Sequence, residues 1–184
     1  SYNCREELEN FFPPTYERIR AEVPDAEFVV VDNASTDDGP GFLRGRFPDV
    51  TVRALDGNRY FGPAANEGVA LAHHELVLLL NPDVEVARLE FARVAAEFAA
   101  GPRLFSLHPE ISDPRDSSVE RLFWLGMRRG LVDVALPRGF PDGEEAEIPF
   151  ATGGAVFLRR SVFLDLGGFD PLFSPFYWED VDLG

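Results

Sequence analysis

Two apolar runs that each end on polar residues constrain the fold of this chain most. Residues 76–80 are entirely apolar and lead into 81–83, Asn-Pro-Asp, while the apolar residues 28–31 lead into 32–33, Asp-Asn. Short apolar runs of this kind are typical of strands buried on both faces. Because open α/β sheets bind ligands outside the carboxyl ends of their strands, the sequence predicts a polar site at one edge of a sheet.

A third acidic cluster lies near the end of the chain, at 179–182, Glu-Asp-Val-Asp. Together the three clusters indicate a site for a metal ion and a phosphorylated ligand, with one further carboxylate available as a base. This interpretation depends on the side chains of Asp32, Asp83 and Asp180 facing one cleft.

Composition limits the class of protein. The 184 residues predict one domain spanning 1–184, and a hydrophobic content of 45% is enough for a core. The net charge of −15 argues against a nucleic-acid partner. The chain has no lysine, which excludes a lysine-bearing phosphate loop and Schiff-base chemistry, and its one cysteine, Cys4, excludes an internal disulfide and a Cys-rich zinc site.

The remaining pattern predicts strands that alternate with helices. The predicted strands are 27–32, 50–54, 75–80, 103–107 and 155–158. The predicted helices are 5–12, 15–22, a short one ending at 46, 62–73, 86–100, a short one around 119–127, 161–166 and one entered near 179. This order favours an α/β fold with a mostly parallel sheet and helices on both faces. We also expect a chain truncated at both ends, without a first strand and without its C-terminal helices.

Each acidic signal has a structural alternative that the sequence leaves open. Asp32 could accept hydrogen bonds from a nucleobase or ribose, or it could cap a turn. Asp83 could hold a divalent cation, or Asn-Pro-Asp could simply end the strand. Asp180 could be a general base, or it could cap a helix.

Two further segments could contact a ligand. The paired Gly153 and Gly154 allow a ligand to approach the backbone, or they form a tight turn. The aromatic residues before the last acidic cluster could stack on a sugar ring, or they could belong to a lid or to the core. They are Phe173, Phe176, Tyr177 and Trp178.

Taken in order, the motifs resemble those of one enzyme family. They are Ser1-Tyr2-Asn3, Val31 to Asp38, Asn58-x-x-x-Gly62-x-x-x-Asn66-x-Gly68, Asn81-Pro82-Asp83-Val84, Thr152 to Ala155, Gly167-Gly168-Phe169-Asp170 and Glu179 to Leu183. This series is similar to that of the family 2 glycosyltransferases, in particular their bacterial rhamnosyltransferase-like members, and the resemblance spans almost the whole chain.

The resemblance implies a GT-A fold, which is Rossmann-like, and an inverting transfer of a sugar from a nucleoside-diphosphate donor to a hydroxyl acceptor. It implies Asp180 as the catalytic base and Asp83 as the metal ligand, with Asn81 in place of the first acid of a D-x-D motif. The implied nucleotide-binding residues are Tyr2, Asn3, Asp32, Asn33, Asn58, Asn66 and Asn81. The implied acceptor-binding residues are Gly153, Gly154, Trp178 and Glu179.

The resemblance also implies partners. The cofactor would be Mg²⁺ or Mn²⁺, the donor a UDP- or dTDP-linked sugar, and the acceptor a saccharide or a lipid-linked saccharide used in polysaccharide biosynthesis. Such an enzyme works in the cytoplasm, with peripheral association at the inner face of the membrane. The oligomeric state is left open.

Two other functions remain open from the sequence. A nucleotidyltransferase that forms sugar nucleotides shares the sheet topology, but it needs a Gly-rich, basic loop after the first strand, where this chain has 1–5, Ser-Tyr-Asn-Cys-Arg. A non-catalytic domain that only binds a nucleotide or glycan is the other, and the presence of Asp32, Asp83 and Asp180 argues against it.

Overall fold

The structure of the chain, a computed structural model, describes residues 1–112, 124–128, 131–135, 148, 150, 153–175 and 178–183. The helices are α1 Arg5–Glu22, α2 Gly39–Arg46, α3 Phe61–Leu71, α4 Phe91–Ala100, α5 Arg160–Asp165, a 3₁₀ turn Pro171–Phe173 and α6 Glu179–Leu183. The strands are β1 Val29–Asp32, β2 Thr51–Ala54, β3 Leu76–Leu80, β4 Ser106–Leu107, β5 Trp124–Arg128, β6 Leu131–Ala135 and β7 Ala155–Arg159. Within these ranges no helix is both long enough and apolar enough to cross a bilayer.

The strands that the structure describes form three sheets. β1 and β2 are parallel, with Val29 opposite Thr51. β7 lies between β3 and β4 and is antiparallel to both, with Leu80 opposite Ala155, so β3 and β4 run in the same direction. β5 and β6 form an antiparallel pair. The reversed β7 was not predicted, because the order of elements along the chain does not fix the direction of a strand that returns after an irregular segment.

Helices cover both faces of the strands, as predicted. Val77 and Leu79 of β3 pack in a cluster with α3 and α5, whereas Leu76 and Leu78 pack on the opposite face in a cluster with α4. Successive side chains of a strand point to opposite faces, so an uninterrupted apolar run is what a strand buried on both sides requires. The α/β class predicted from this run is confirmed.

Helix α1 is continuous through Pro13 and Pro14, so the prediction of two helices separated at the proline pair is wrong. An interior proline removes a helical hydrogen bond and costs about 3 kcal/mol. Aromatic packing on both sides of the pair offsets that cost. Phe12 and Tyr16 pack in one cluster with Phe28 and Phe47 of neighbouring elements. The ring centroids of Phe12 and Phe47 are 5.0 Å apart, and those of Tyr16 and Phe28 are 4.7 Å apart.

Three other predicted boundaries differ from the structure. The helix predicted from 86 begins only at Phe91, and the Val86 N–H before it donates to the buried Thr15 hydroxyl at 3.0 Å. The helix predicted around 119–127 is wrong where the structure describes it, since Trp124–Arg128 is a strand paired with β6. The strand predicted over 103–107 is reduced to Ser106–Leu107.

A cleft of about 740 Å³ separates β1 from β3, and α1 and α3 form its other walls. Within the described chain, β1 pairs only with β2 and β3 pairs only with β7, so each strand turns its other edge to this cleft. Ser1 stands at one end of the cleft. Its N–H donates to the Val31 carbonyl at 2.7 Å and its carbonyl accepts the Asn33 N–H at 2.8 Å. This is the hydrogen-bond pattern of a parallel ladder, so Ser1 lies opposite Asp32 as a strand residue would.

The Phe163→Ala variant tests the core beneath the site. Phe163 is fully buried in the cluster around α3 and β7, so the truncation should lower the free energy of unfolding by about 3–5 kcal/mol. Its neighbour Leu164 is exposed, and Leu164→Ala should change that free energy by about 0.5 kcal/mol or less. Denaturant unfolding of the two variants checks this, and equal losses would contradict the packing described here.

Candidate functional site

The cleft between β1 and β3 has an apolar body and a polar rim. Valine and leucine side chains of the two strands line the body, which is unsuited to a charged ligand. The rim lies where β1 and β3 end, the position at which open α/β sheets bind ligands. We use the term rim for Ser1, Tyr2, Asn33, Asn58, Tyr60, Asn81 and Pro82.

Asp32 ends β1 directly beneath the rim and is buried. Its carboxylate accepts two hydrogen bonds from Ser35, one from the backbone N–H at 3.1 Å and one from the hydroxyl. The turn foreseen as the alternative role of Asp32 is therefore formed. An ionised carboxylate offers about four acceptor positions, so Asp32 can also accept hydrogen bonds from a ligand, and that role stays a prediction.

Asn33 ties the end of β1 to the loop before α3. Its Oδ1 accepts the Arg59 N–H at 2.7 Å and its Nδ2 donates to the Tyr60 carbonyl at 2.9 Å. Asn58 caps the same loop by accepting the Tyr60 N–H at 2.8 Å. A hydrogen bond from Arg59 lowers the pKa of the Asp56 carboxyl, which keeps this pair ionised. Asn33 and Asn58 thus both shape the loop, and the nucleotide contact expected of each stays a prediction.

Tyr2 and Asn3 lie beside the turn after β1. The Tyr2 side chain is 48% exposed on the rim, where it is free to stack on a ligand. Asn3 is engaged with the protein instead: its N–H donates to Ser35 Oγ at 2.9 Å and its Oδ1 accepts the Thr36 N–H at 2.7 Å. The next residue, Cys4, is buried, and burial raises the pKa of its thiol, which favours the protonated form at neutral pH.

Residues 81–83 form a turn at the end of β3. The Asn81 N–H donates to the Gly154 carbonyl at 2.9 Å, and the Asn81 carbonyl accepts the Val84 N–H at 3.2 Å. The structure therefore brings together Asn81, predicted on the nucleotide side, and Gly154, predicted on the acceptor side. The Asp83 side chain is exposed, and nothing in the described residues pairs with it.

The donor set at this turn fits a cation that is shared with a phosphorylated ligand. In the described part of the chain, no three His, Cys, Asp or Glu side chains are grouped to hold a metal ion by themselves. Mg²⁺ usually takes one or two protein carboxylates and completes its coordination with phosphate oxygens and water. The exposed and unpaired Asp83 carboxylate meets that requirement.

Gly153 is required by its contact with an aromatic ring. A Cβ atom at Gly153 would lie 2.7 Å from Cζ of Phe61, the first residue of α3. The Phe61 ring in turn packs on Phe169, with 5.5 Å between centroids. The structure places Gly153 and Gly154 in a turn, which is the alternative role, and the approach of a ligand to them stays a prediction.

The last acidic cluster begins after Trp178, which has a φ of +91° and is 47% exposed. The Trp178 carbonyl accepts the Asp182 N–H at 2.9 Å and so starts α6. Asp180 accepts the adjacent Val181 N–H at 2.9 Å, as expected of a residue in a first helical turn. One Glu179 carboxylate oxygen is buried and has no partner in the described ranges.

Asp180 lines a small cavity that is separate from the cleft. Its other lining residues are Phe105, Ser106, Val156, Leu158, Phe169 and Leu183. The neighbours of Asp32 and Asp83 meet on the rim, whereas Asp180 lies beside Phe169. The convergence of the three carboxylates on one cleft therefore stays a prediction. Thr152, Phe176 and Tyr177, which also belong to the predicted motifs, lie outside the described residues.

Asn66 is placed differently from the other predicted nucleotide-binding residues. Helix α3 turns Ala64, Ala65 and Gly68 toward the cleft, while the Asn66 amide bonds to the backbone of Phe169. Its nucleotide contact is not tested by this structure.

Sequence reasoning missed Tyr60, Ser35 and the role of Phe169. Tyr60 lies on the rim with a φ of +65°. Its position between Asn58 and Gly62, inside one of the sequence motifs, could have indicated that it belongs to the site. The Ser35 hydroxyl, three residues after Asp32, is a common partner for an aspartate in a turn. No local signal indicates that Phe169 pairs with Asn66, 103 residues earlier.

The Asn33→Ala variant tests the attachment of the 56–60 loop. It leaves the backbone groups of Arg59 and Tyr60 without their partners, so the free energy of unfolding should fall by about 1–3 kcal/mol. Trypsin should also cleave native protein after Arg59 faster. Asn10→Ala, at an exposed position of α1, is the control. Unchanged cleavage at Arg59 would show that Asn33 does not hold the loop.

Comparison with known proteins identifies relatives. A family model described as glycosyl transferase family 2 matches residues 1–167. An N-acetylglucosaminyl-diphospho-decaprenol L-rhamnosyltransferase from Mycobacterium tuberculosis is 26% identical over 181 residues, an alignment that covers 85% of this chain and 59% of the relative. The chain thus spans less than two thirds of the length of the curated relatives it matches.

Solved structures share the fold. A GalNAc-T7 structure with UDP, GalNAc and Mn²⁺ matches with a TM-score of 0.72 at 16% identity, covering 96% of this chain and 36% of that one. A Pyrobaculum calidifontis mannosyltransferase, PcManGT, with GDP-Man and Mn²⁺ matches with a TM-score of 0.66 at 21% identity, covering 100% and 48%. S. aureus TarS with UDP gives a TM-score of 0.64 at 17% identity, covering 100% and 51%. The predicted GT-A fold is therefore confirmed.

Proposed function

The chain belongs to glycosyl transferase family 2, and we propose that it transfers a sugar from a nucleoside-diphosphate donor to a hydroxyl acceptor with inversion at the anomeric carbon. The observation that carries the proposal is the meeting of two strand ends on one rim. Asn33, which follows β1, and Asn81, which follows β3, line the same opening, with the exposed Asp83 beside it.

The rim suits the nucleoside part of a donor. Tyr2 and Tyr60 are both about half exposed there and offer aromatic faces to a base. Asp32, held by Ser35, supplies a fixed carboxylate that can accept hydrogen bonds from a base N–H or from ribose hydroxyls. The close packing of Asn3 and Asn33 with neighbouring loops holds these groups in place before the donor binds.

Asp83 would hold the divalent cation, Mg²⁺ or Mn²⁺, at the diphosphate. When bound, such an ion offsets the negative charge that develops on the departing diphosphate. The chain itself contributes the carboxylate of Asp83 and the turn at Asn81 that positions it. The hydrogen bond from the Asn81 N–H to the Gly154 carbonyl holds this turn in place.

Asp180 would act as the general base. Its carboxylate accepts the proton of the acceptor hydroxyl while that oxygen forms a bond to the anomeric carbon. The bond from the anomeric carbon to the diphosphate oxygen breaks on the opposite side, and its electron pair leaves with the nucleoside diphosphate. A positioned base of this kind contributes roughly 10²–10⁴-fold to the rate. Gly153, Gly154, Trp178 and Glu179 would line the acceptor side.

The substrates follow from the relatives. The mycobacterial relative is named as a rhamnosyltransferase that acts on a decaprenol-linked saccharide. We propose a UDP- or dTDP-linked sugar as the donor and a saccharide, carried on a lipid diphosphate, as the acceptor. The enzyme would then work at the inner face of the membrane.

Asp180→Asn tests the base. The amide keeps the size of the side chain and cannot take a proton, so transfer should fall by about 10²-fold or more while the Kd for UDP or dTDP changes less than twofold. Asp182→Asn, at an exposed position of the same helix, should keep wild-type turnover. Measured transfer to a lipid-linked saccharide, with calorimetry for the nucleotide, checks both. Near wild-type turnover of Asp180→Asn would refute the base assignment.

Asp83→Asn tests the cation site. With Mn²⁺ present, the Kd of the nucleoside diphosphate should rise about tenfold or more, because the ion loses its protein carboxylate. Without Mn²⁺ the variant should bind the nucleotide at least as tightly as the wild type, because it lacks a carboxylate that repels the diphosphate. Glu85→Gln removes an exposed carboxylate two residues further on and serves as the control. If Asp83→Asn and Glu85→Gln bind alike in Mn²⁺, Asp83 is not the metal ligand.

The two alternative functions give different results in the same assays. A nucleotidyltransferase would release pyrophosphate from a nucleoside triphosphate and a sugar phosphate. A non-catalytic domain would bind the nucleotide tightly, with neither hydrolysis of the donor nor transfer. Either result would replace the proposed function.

A further inference from the structure

We propose that Asn66 is a positioning residue for the transfer reaction. Its side-chain amide fixes the backbone of Phe169, and Phe169 supports the segment that carries Asp180. The proposal rests on the proposed function, because it assigns Asn66 to the acceptor and base side of that reaction. It replaces the nucleotide contact that the family resemblance implies for this residue.

The contact between Asn66 and Phe169 uses both halves of the amide. Asn66 Oδ1 accepts the Phe169 N–H at 2.9 Å, and Asn66 Nδ2 donates to the Phe169 carbonyl at 2.8 Å. A side chain that bonds both backbone groups of one residue fixes the orientation of that residue as well as its distance. Asn66 thereby joins the middle of α3 to the turn that follows α5.

The turn that contains Phe169 packs closely against helix α3 around this contact. A Cβ atom at Gly168, where φ is +70°, would lie 2.5 Å from Asn66 Oδ1, and one at Gly62 would lie 3.1 Å from the Phe169 Cβ. Both glycines therefore allow the turn to approach α3 closely. The presence of Gly168 and Phe169 in one motif and of Gly62 and Asn66 in another, which the proposed function does not use, is consistent with this contact.

Phe169 transmits the position of the turn to Asp180. It is 2% exposed, and its ring packs against Phe61 at 5.5 Å and Phe163 at 5.3 Å between centroids. On its other side it lines the small cavity to which Asp180 and Leu183 of α6 contribute. If Phe169 moves, the packing beneath α6 changes, and the Asp180 carboxylate moves with it.

The placement of Asn66 argues against direct contact with the donor. The residues of α3 that line the cleft are Phe61, Ala64, Ala65, Gly68 and Val69, and Asn66 is not among them. Its amide faces the Phe169 turn, as the two hydrogen bonds show.

The test uses Asn66→Ala and Asn66→Asp in the full-length enzyme. The first removes both hydrogen bonds, and the second sets a carboxylate against the Phe169 carbonyl. We expect kcat to fall by about 10²-fold, the loss typical of a misplacement near 1 Å, and the KM for the acceptor to rise. We expect the Kd of UDP or dTDP, with Mn²⁺, to stay within twofold of the wild type. A nucleotide Kd raised as strongly as kcat is lowered would overturn the proposal in favour of a donor contact.

Gly168→Ala disturbs the same contact from the other side and leaves Asn66 unchanged. It should reproduce the kinetic signature of Asn66→Ala. Leu43→Ala is the control for lost stability, because Leu43 is buried between α1 and α2, in a different cluster. Below its unfolding temperature, Leu43→Ala should keep the wild-type kcat. An equal fall in kcat for Leu43→Ala would mean that general destabilisation, and not positioning, explains the effect.

Hydrogen exchange separates this proposal from the proposed function. In Asn66→Ala, amide exchange should increase in residues 168–173 and 178–183 and stay unchanged in the 56–60 loop. That increase is expected even if no donor and acceptor pair yields transfer, in which case the proposed function fails and the Asn66–Phe169 coupling stands. Unchanged exchange in 178–183 would refute the coupling, whatever the activity of the wild type.

Discussion

Burial of both faces of β1 and β3 is the constraint on which the site depends. Val30 of β1 packs toward α1 and α2 while Val29 and Val31 pack toward α3, and β3 alternates in the same way. A strand covered on both sides has no place along its length for a solvated charge, because an isolated buried charge is costly. Polar residues can follow such strands only at their ends. Burial of the strands thus explains both why their own residues are apolar and why the polar residues lie at the rim.

The amide side chains of the buried Asn33 and the half-buried Asn66 find their hydrogen-bond partners within the protein. Asn33 bonds the loop before α3, and Asn66 bonds the turn after α5. Since buried polar groups are nearly always hydrogen-bonded, an asparagine beneath a rim has to find partners in the neighbouring loops when no ligand is present. These residues assemble the surface that exposed groups such as Tyr2 and Asp83 present to a substrate.

What could be predicted from the sequence were the features that one segment determines. The apolar runs at 76–80 and 28–31 specify β3 and β1, their burial and the polar residues after them. The continuous α1 could not be predicted, because Phe12 packs on residues distant in sequence, and no local signal marks the late start of α4. In the site, the turn that carries Asp83 could be predicted from its own residues. The Asn66–Phe169 contact was not, since neither residue carries a local signal of the other.

Charge is a further argument for the cation that we propose at this site. A nucleoside diphosphate is an anion, and it would meet a chain with a net charge of −15 and no lysine. Two arginines, one in the loop before α3 and one at the start of α1, are already paired: Arg59 with Asp56, and Arg5 with Glu9 and Asp38. With Asp32 beneath the rim and Asp83 beside it, repulsion would oppose the diphosphate. A divalent ion held by Asp83 would offset that repulsion. Binding of the donor should therefore depend on the ion more strongly than on any single arginine.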